Sequence, residues 1–499
     1  MGVIQRKSIH FSMVNFAGVI IGTLSTLFIY PLSREAYGLA RFFIDFAWLL
    51  YPLVLFGMDS VSLKYFPRFQ KTGAQPGSFL TFLLTNVAVI TFVFVVVAYV
   101  FGSSITHWLD EVLDMRFHKD PLIDKYLWIL VPLVFFTGVT MLFNRYFSSF
   151  HRIAFPAVLI NFIKVSTPIL VLLYYFDYVD IWVIPYGLLG HFSLIFIASL
   201  VYLAFIGEWR FKFDFSIFQG ERYKEILTFS LYSLFASLGT LIAFRIDTVM
   251  VGTLLNLDQT GEFGIAATIA QTIAIPTNAI ITVAAPVIAA AWAEKDMKQI
   301  DAIYKKASNN LLIPGLIIYT GMWACIDYLF AIMPNSDTFS AAKWVVLILG
   351  AAKLFDMATS VNNEIIAYSK HYTFNFYAVA TLSVSNIAFN LIFISSYGII
   401  GAAMATLLSL FLYNVAKLIF IRFKFGIQPF SIQTIKLLAI ALFCYGTVFW
   451  WEFDGRSILN LLLKGTVVTV LYVFLAFQWK VSDEFSKLIH TNIKRLIKK

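Results

Sequence analysis

Four charged side chains lie deep inside long apolar runs of this chain: Lys164, Arg245, Lys353 and Glu364. A charge in such a run is costly, so it turns toward a partner, a ligand or a hydrated interior. Arg245 and Asp247 are two residues apart and point to different sides of a helix, so at least one needs a partner elsewhere. Arg and Lys in a polar interior suit an anion, and phosphate in particular through charge-assisted bonds. A carboxylate in the same environment can instead tune that charge or carry a coupling proton. Glu364 is the preferred candidate for that role.

The surrounding polar residues form rows at about 100° per residue. Arg41, Asp45, Trp48, Pro52 and Asp59 fall within about 40° of one line. Lys353, Asp356, Ser360 and Glu364 fall within about 80° of one another. Ser383, Asn386 and Asn390 make a polar row. Ser230, Ser233, Ser237, Arg245 and Thr248 share a broad face, Asn15, Gly18, Gly22 and Thr26 form a stripe, and Asn161, Lys164 and Pro168 sit together. Blander readings exist. Lys353 and Asp356 are spaced to neutralise each other, Arg41 can snorkel to headgroups, and Gly18 with Gly22 suits close helix packing. Taken together, Lys164, Arg245, Lys353, Arg41, Asn386 and Asn390 are the expected substrate-binding residues. Glu364, Asp356, Asp247, Asp45 and Asp59 are the expected coupling or charge-tuning residues.

The elements that must position these groups are membrane helices. Of 499 residues, 60% are apolar and 13% charged, and mean hydropathy is +0.81. A soluble domain carries about 25% charged residues, and no stretch here reads as a water-soluble globule. The sequence predicts an all-α polytopic membrane protein. Fourteen spans fit, over 9–31, 40–62, 79–101, 126–148, 153–176, 181–206, 226–255, 261–290, 308–333, 342–368, 373–395, 399–421, 434–452 and 457–477. The basic start, Met1 to Lys7, reads as leading into an uncleaved first helix.

With the N-terminus inside, 26 basic residues fall on the cytoplasmic side, Lys417 among them, 7 fall outside and 4 lie within spans. That bias puts both termini in the cytoplasm and accounts for the net charge of +9 without nucleic acid. Cys325 and Cys444 form no framework or Cys-x-x-Cys pair.

Internal repeats support a two-fold organisation. Tyr186-Gly187-Leu188-Leu189-Gly190 returns as Tyr397-Gly398-Ile399-Ile400-Gly401, with Tyr202 and Tyr413 at the same offset; Tyr37-Gly38-Leu39-Ala40 resembles Phe263-Gly264-Ile265-Ala266. Each pair relates a span to the sixth one after it, so the halves are expected to be parallel repeats with a site between them. The expected divisions are 1–215 (spans 1–6), 216–430 (spans 7–12) and 431–499 (spans 13 and 14 with a basic cytoplasmic tail).

Enzyme signatures are missing. There is no His-Glu-x-x-His, Gly-x-Ser-x-Gly or Gly-Lys-Ser/Thr phosphate cradle. His107, Glu111, Asp114 and His118 share one face, but with Leu109, Leu113 and Phe117 they read better as an interfacial helix than as a metal site. No catalytic residue, metal or cofactor is expected.

Several ordered segments resemble the O-antigen-type polysaccharide flippases of the multidrug/oligosaccharidyl-lipid/polysaccharide exporter superfamily. They are Arg34-Glu35-Ala36-Tyr37-Gly38-Leu39-Ala40, Phe56-Gly57-Met58-Asp59, Lys64-Tyr65-Phe66-Pro67-Arg68-Phe69, Arg245-Ile246-Asp247-Thr248-Val249-Met250-Val251-Gly252, Phe355-Asp356-Met357 with Asn362-Asn363, and Tyr397-Gly398-Ile399-Ile400-Gly401-Ala402-Ala403. The resemblance implies two six-helix lobes around a central cavity. It implies alternating access that moves an undecaprenyl-diphosphate-linked oligosaccharide, a lipopolysaccharide or capsule repeat unit, from the inner to the outer leaflet of a bacterial cytoplasmic membrane. Membrane lipids, a coupling ion (proton or sodium) and a polysaccharide polymerase are the further partners it implies. Drug or cation antiporters of the superfamily usually have twelve spans. Peptidoglycan-precursor flippases have fourteen but typically carry an arginine in span 1, and none stands between Lys7 and Arg34 here. A membrane-embedded polymerase or ligase would need catalytic residues on outer loops, which are short.

The orientation is directly testable. Single cysteines at Lys71 and Lys298 are expected to resist a membrane-impermeant thiol reagent applied to intact cells, while cysteines at Glu111 and Ser336 react. Labelling at Lys298 from outside would refute this topology.

Overall fold

The structure, a computed structural model, describes residues 2–71, 76–115, 117, 120–150, 152, 154–208, 212, 220–451, 457–482 and 484–487. His118 and the tail beyond 487, both used in the sequence reading, lie outside them. The described residues form helices joined by turns and short irregular segments, without a strand, and fall into two compact units, Met1–Gly264 and Ile265–Lys499.

The first unit contains α1 (Gly2–Leu24), α2 (Arg34–Leu55), α3 (Met58–Lys71), α4 (Pro76–Val112), α5 (Pro121–Tyr126), α6 (Leu130–Ser149), α7 (Ala154–Asn161), α8 (Ile163–Tyr175), α9 (Val183–Phe205) and α10 (Gly220–Leu254), and ends within α11 (Leu257–Gln271). Helix α2 is its axis. It packs on α10, α6, α4 and α9 and buries Ala36, Leu39, Ala40, Phe42, Phe43, Ala47 and Val54. Ser33 caps its start by accepting from the Ala36 amide. By contrast, α4 turns Phe92, Val93, Tyr99 and Phe101 outward, which is a liability in water and a fit to hydrocarbon.

The second unit contains the rest of α11, then α12 (Thr277–Ala293), α13 (Met297–Ala331), α14 (Ser340–Thr359), α15 (Asn362–Ala367), α16 (Thr373–Phe425), α17 (Ile432–Phe449) and α18 (Ser457–Gln478). Helix α13 packs on α14, α17 and α18 around a core that includes Leu312, Leu316, Leu437, Cys444, Val468 and Tyr472. Beyond α18, Glu484 meets the Lys306 ammonium at 2.5 Å and accepts from Asn310. These bonds, that from Lys306 first, hold its carboxyl below the usual carboxylate range.

Twelve helices among the described residues are long and apolar enough to cross a membrane, and the bent pair Leu257–Ala274 with Thr277–Ala293 makes up to thirteen. The protein is a multi-pass membrane protein. One of the twelve, α16, runs for 53 residues and breaks its helical geometry at Gly398 (φ 58°, ψ −137°).

Two expected polar rows are interrupted. Helix α2 ends at Leu55, and Phe56 and Gly57 take positive φ before α3 starts at Met58. Asp59 therefore does not continue the row of Arg41, Asp45 and Trp48, because that extrapolation assumed an unbroken helix. Likewise α14 ends at Thr359, Ser360 adopts φ 52° and ψ −118°, and Glu364 stands on α15 rather than in line with Lys353 and Asp356.

Close approach of backbones fixes the start of α2. A Cβ on Gly38 would lie 1.8 Å from the Leu257 carbonyl oxygen, and one on Gly261 would lie 2.2 Å from that of Arg34. Small residues let membrane helices meet this way. Gly38→Val is expected to cost about 3 kcal/mol, read as lost thermal stability or lost accumulation of detergent-purified protein. Gly190→Val, where a Cβ would meet nothing within 4 Å, is expected to stay near wild type.

Candidate functional site

In the first unit the charges converge on Asp45. Its carboxylate is 1% exposed and lies 2.8 Å from Arg41 Nε, one helical turn earlier on α2. From α10, Arg245 donates to the other carboxylate oxygen. The Arg245 guanidinium also lies over the Trp48 ring, 5.4 Å from its centre. The Arg41 and Arg245 side chains are 26% and 30% exposed, so the carboxylate is inside while both arginine side chains are partly open. Two cations on one anion leave a net charge of +1. Each planar fork has five N–H donors, more than Asp45 can use, and the remainder can bind an anion.

The wall beside this cluster is aromatic. Tyr30 and Tyr37 stack with ring centres 3.8 Å apart, and a Cβ at Gly264 would touch both the Arg41 stem and the Tyr37 ring. Arg34 reaches Asp258 and Glu262 at 3.9 Å each. Asp247 is buried on α10 and has its own polar interaction.

Lys164 belongs to a different contact of the same unit. Half-buried on α8, it lies against α1, its ammonium 3.3 Å from where a Gly18 Cβ would be. Asn161 just before it donates to Asn15 at 3.1 Å. The glycine stripe of α1 makes room for a lysine and an asparagine as well as for helix packing. Asp59 is half-buried at the start of α3.

The other expected residues lie in the second unit. Asn386 and Asn390 are fully buried, and Asn390 donates to the Asn386 carbonyl and side-chain oxygens at 2.9 Å each. Lys353 is half-buried on α14 and has a polar interaction. Around the α14–α15 break, Asn414 donates to Asp356 at 3.0 Å and accepts from Thr359 at 2.9 Å and Asn362 at 3.0 Å. Glu364 Oε2 is buried without a hydrogen-bond partner. Two residues of this network escaped the sequence reading. Asn414 looked like one more polar residue in an apolar span. Lys417 was counted among the cytoplasmic basic residues, yet its side chain is wholly buried. The charge count assigns any cation near a span end to water, and Lys417 lies two turns inside the end of α16. The one available signal was Tyr413, the repeat partner of Tyr202.

No group of three or more His, Cys, Asp or Glu among the described residues is arranged to hold a metal ion. His107 and Glu111 form an exposed pair at 3.9 Å, and Asp110 turns inward to accept from the Phe117 amide at 2.9 Å.

The Asp45 cluster makes a stability prediction. Asp45→Asn leaves two adjacent cations without their anion, and breaking such a buried pair costs about 3 kcal/mol or more. The variant is expected to accumulate poorly, and adding Arg41→Gln is expected to recover part of the loss. Unchanged thermal stability of Asp45→Asn would refute the pairing.

Comparison with known proteins follows the same lines. The probable low-salt glycan biosynthesis flippase Agl15 of Haloferax volcanii is 21% identical over 262 residues, 50% of this chain and 54% of that protein. The match thus spans about half the length of that relative. The uncharacterized membrane protein MJ1068 of Methanocaldococcus jannaschii is 19% identical over 99% of both chains. Among solved structures, the lipid II flippase MurJ in an inward closed conformation superposes with a TM-score of 0.73 over 95% of this chain and 99% of its own, at 16% identity. An inward-facing multidrug resistance transporter of the MATE family gives 0.62 over 82% and 94%, at 15% identity. At these identities the superpositions establish a shared fold. Residues 5–292, more than half the chain, match the family model described as polysaccharide biosynthesis protein, and the chain belongs to that family.

Proposed function

We propose that this protein is a flippase that carries a lipid-linked oligosaccharide across a membrane by alternating access. The observation that carries the reading is the Asp45 cluster, a net-positive pair of guanidinium groups held in place by a buried carboxylate. Such a pair suits the phosphate of a lipid-linked sugar, and the neighbouring Trp48 and Tyr37 offer faces to sugar rings. The finer reading of the cargo is an undecaprenyl-diphosphate-linked repeat unit for lipopolysaccharide or capsule, moved outward across a bacterial cytoplasmic membrane. Lys164, Arg245 and Lys353 face one lumen in this reading, and a proton or sodium gradient, or removal of product by a polymerase, drives the cycle. Family membership supports the glycan assignment.

The same reading places fourteen spans in the bilayer, with both termini cytoplasmic and the two six-helix lobes arranged as parallel repeats over 1–215 and 216–430. Helix α16 supports that count. Fifty-three residues at 1.5 Å each are about 80 Å long, well over twice the hydrocarbon thickness of about 30 Å. In this reading its break at Gly398 divides it into two spans. A peptidoglycan-precursor flippase is the second reading, favoured by the likeness to MurJ over 95% of the chain.

Reconstitution separates these readings. In proteoliposomes the purified protein is expected to move a polyprenyl-diphosphate-linked oligosaccharide between leaflets without changing its mass. Arg245→Gln is expected to reduce the rate about tenfold or more, from the loss of a charged hydrogen bond, at unchanged protein abundance. Faster movement of the peptidoglycan precursor than of other lipid-linked sugars selects the second reading. A product of altered mass would mean an enzyme.

A further inference from the structure

A second group of cations lies at the ends of α3 and α10 that the basic-residue count assigns to the cytoplasm. Lys64 and Lys224 line an open pocket of about 430 Å³ there, with Tyr65, Glu225, Phe229 and Tyr232. The Lys64 ammonium lies 3.7 Å from the centre of the Phe229 ring and 5.2 Å from that of Tyr65. Tyr65 is buried, and its hydroxyl donates to Glu225 Oε1 at 2.9 Å across the two helices. Two ammonium groups against one carboxylate leave the pocket with a net positive charge. Among the described residues neither lysine forms an ion pair.

The surface beside the pocket is apolar. Leu63 on α3 and Leu231, Tyr232 and Phe235 on α10 are exposed, which suits hydrocarbon better than water. Cations next to such a surface fit a ligand with the same division, an anionic head and apolar chains. A lipid phosphate is that ligand. The cytoplasmic leaflet carries anionic lipid, and an ammonium offers only donors, which phosphate oxygens accept. A soluble anion would meet the charge but leave Leu231 and Phe235 unused. The pocket is separate from the Asp45 cluster, since Lys224 and Arg245 stand on one helix, about 30 Å apart along its axis at 1.5 Å per residue.

We propose that this pocket holds the phosphate headgroup of a membrane lipid between Lys64 and Lys224, with the lipid chains along Leu231 and Phe235. One lysine comes from α3 and the other from α10, so the bound phosphate bridges the two helices just past the break at Phe56 and Gly57. This goes beyond the proposed function, which places the cargo phosphate at the Asp45 cluster and assigns nothing to this end of the helices.

The test is site-directed photocrosslinking of purified full-length protein in maltoside micelles. p-Benzoylphenylalanine replaces Tyr232, which is exposed at the pocket, and the crosslinked lipid is identified by mass. A lipid phosphate, offered as phosphatidylglycerol or as polyprenyl diphosphate, is expected to crosslink about tenfold more than diacylglycerol. Whichever of the two gives the higher yield names the lipid. Lys64→Gln with Lys224→Gln is expected to bring that yield down to the diacylglycerol level, and Lys64→Arg with Lys224→Arg to keep it. If the label at Tyr232 prevents folding, it is moved to Thr228 on the same wall. No transport is read, and phosphatidylglycerol is not the proposed cargo, so loss of transport with intact crosslinking would count against the cargo assignment alone. Yields from both phosphate lipids no greater than from diacylglycerol would overturn the proposal, as would an unchanged yield in the Gln double variant. So would complete displacement of the lipid by inorganic phosphate, which would mark a site for the free anion.

Discussion

A carboxylate buried in a membrane helix bundle must be met by a cation, and Asp45 meets two. This constraint orders the first unit. It holds α10 to α2 through Arg245 and fixes the Arg41 rotamer within α2. The close backbone approach at Gly38 and Gly261 keeps the neighbouring chain near enough for the aromatic wall to form. Removing the anion would leave two cations repelling each other, whereas removing one cation would leave a neutral pair. The cluster is therefore built so that its surplus is positive.

The second unit solves the same problem differently. Its charges gather at a break in a helix, where freed backbone groups and Asn, Thr and Tyr side chains are at hand. Asn414 accepts from two neighbours and donates to Asp356, so the network is closed by amides rather than by a second arginine. Lys417, one turn further along α16, donates to Asn363 and Tyr413 instead. The two units thus differ in how they meet carboxylates: two arginines on Asp45 in one, amide hydrogen bonds on Asp356 in the other.

Composition and periodicity revealed the membrane helices and the charged residues within them. Arg41, Asp45 and Trp48 fell on one face of one helix in the sequence, and the structure gathers them with Arg245. That Arg245 or Asp247 needs a partner on another helix or a ligand could be read from their two-residue separation, but neither which of them nor the identity of the partner could. It depends on how α2 and α10 pack, which no local pattern encodes. Asp59 and Glu364 were placed in line with residues that stand on other helices, because Ser360 gives no composition signal for a break and Gly57, beside Phe56, was read through as part of one span. Phe56 and Ser360 are each held at positive φ by their surroundings. The charge count assigned Lys417 to a side and said nothing of its burial, which is a tertiary event.

The proposed function turns on phosphate recognition by the Arg41–Asp45–Arg245 cluster. The most direct measurement is binding of a polyprenyl-diphosphate-linked saccharide to purified protein, beside the same saccharide on a lipid without phosphate. The account predicts preference for the diphosphate lipid, weakening with salt, and roughly tenfold weaker binding for Arg245→Lys, which keeps the charge but loses the planar fork. Equal affinity for the two lipids, or unchanged binding by both Arg245→Lys and Arg245→Gln, would contradict it.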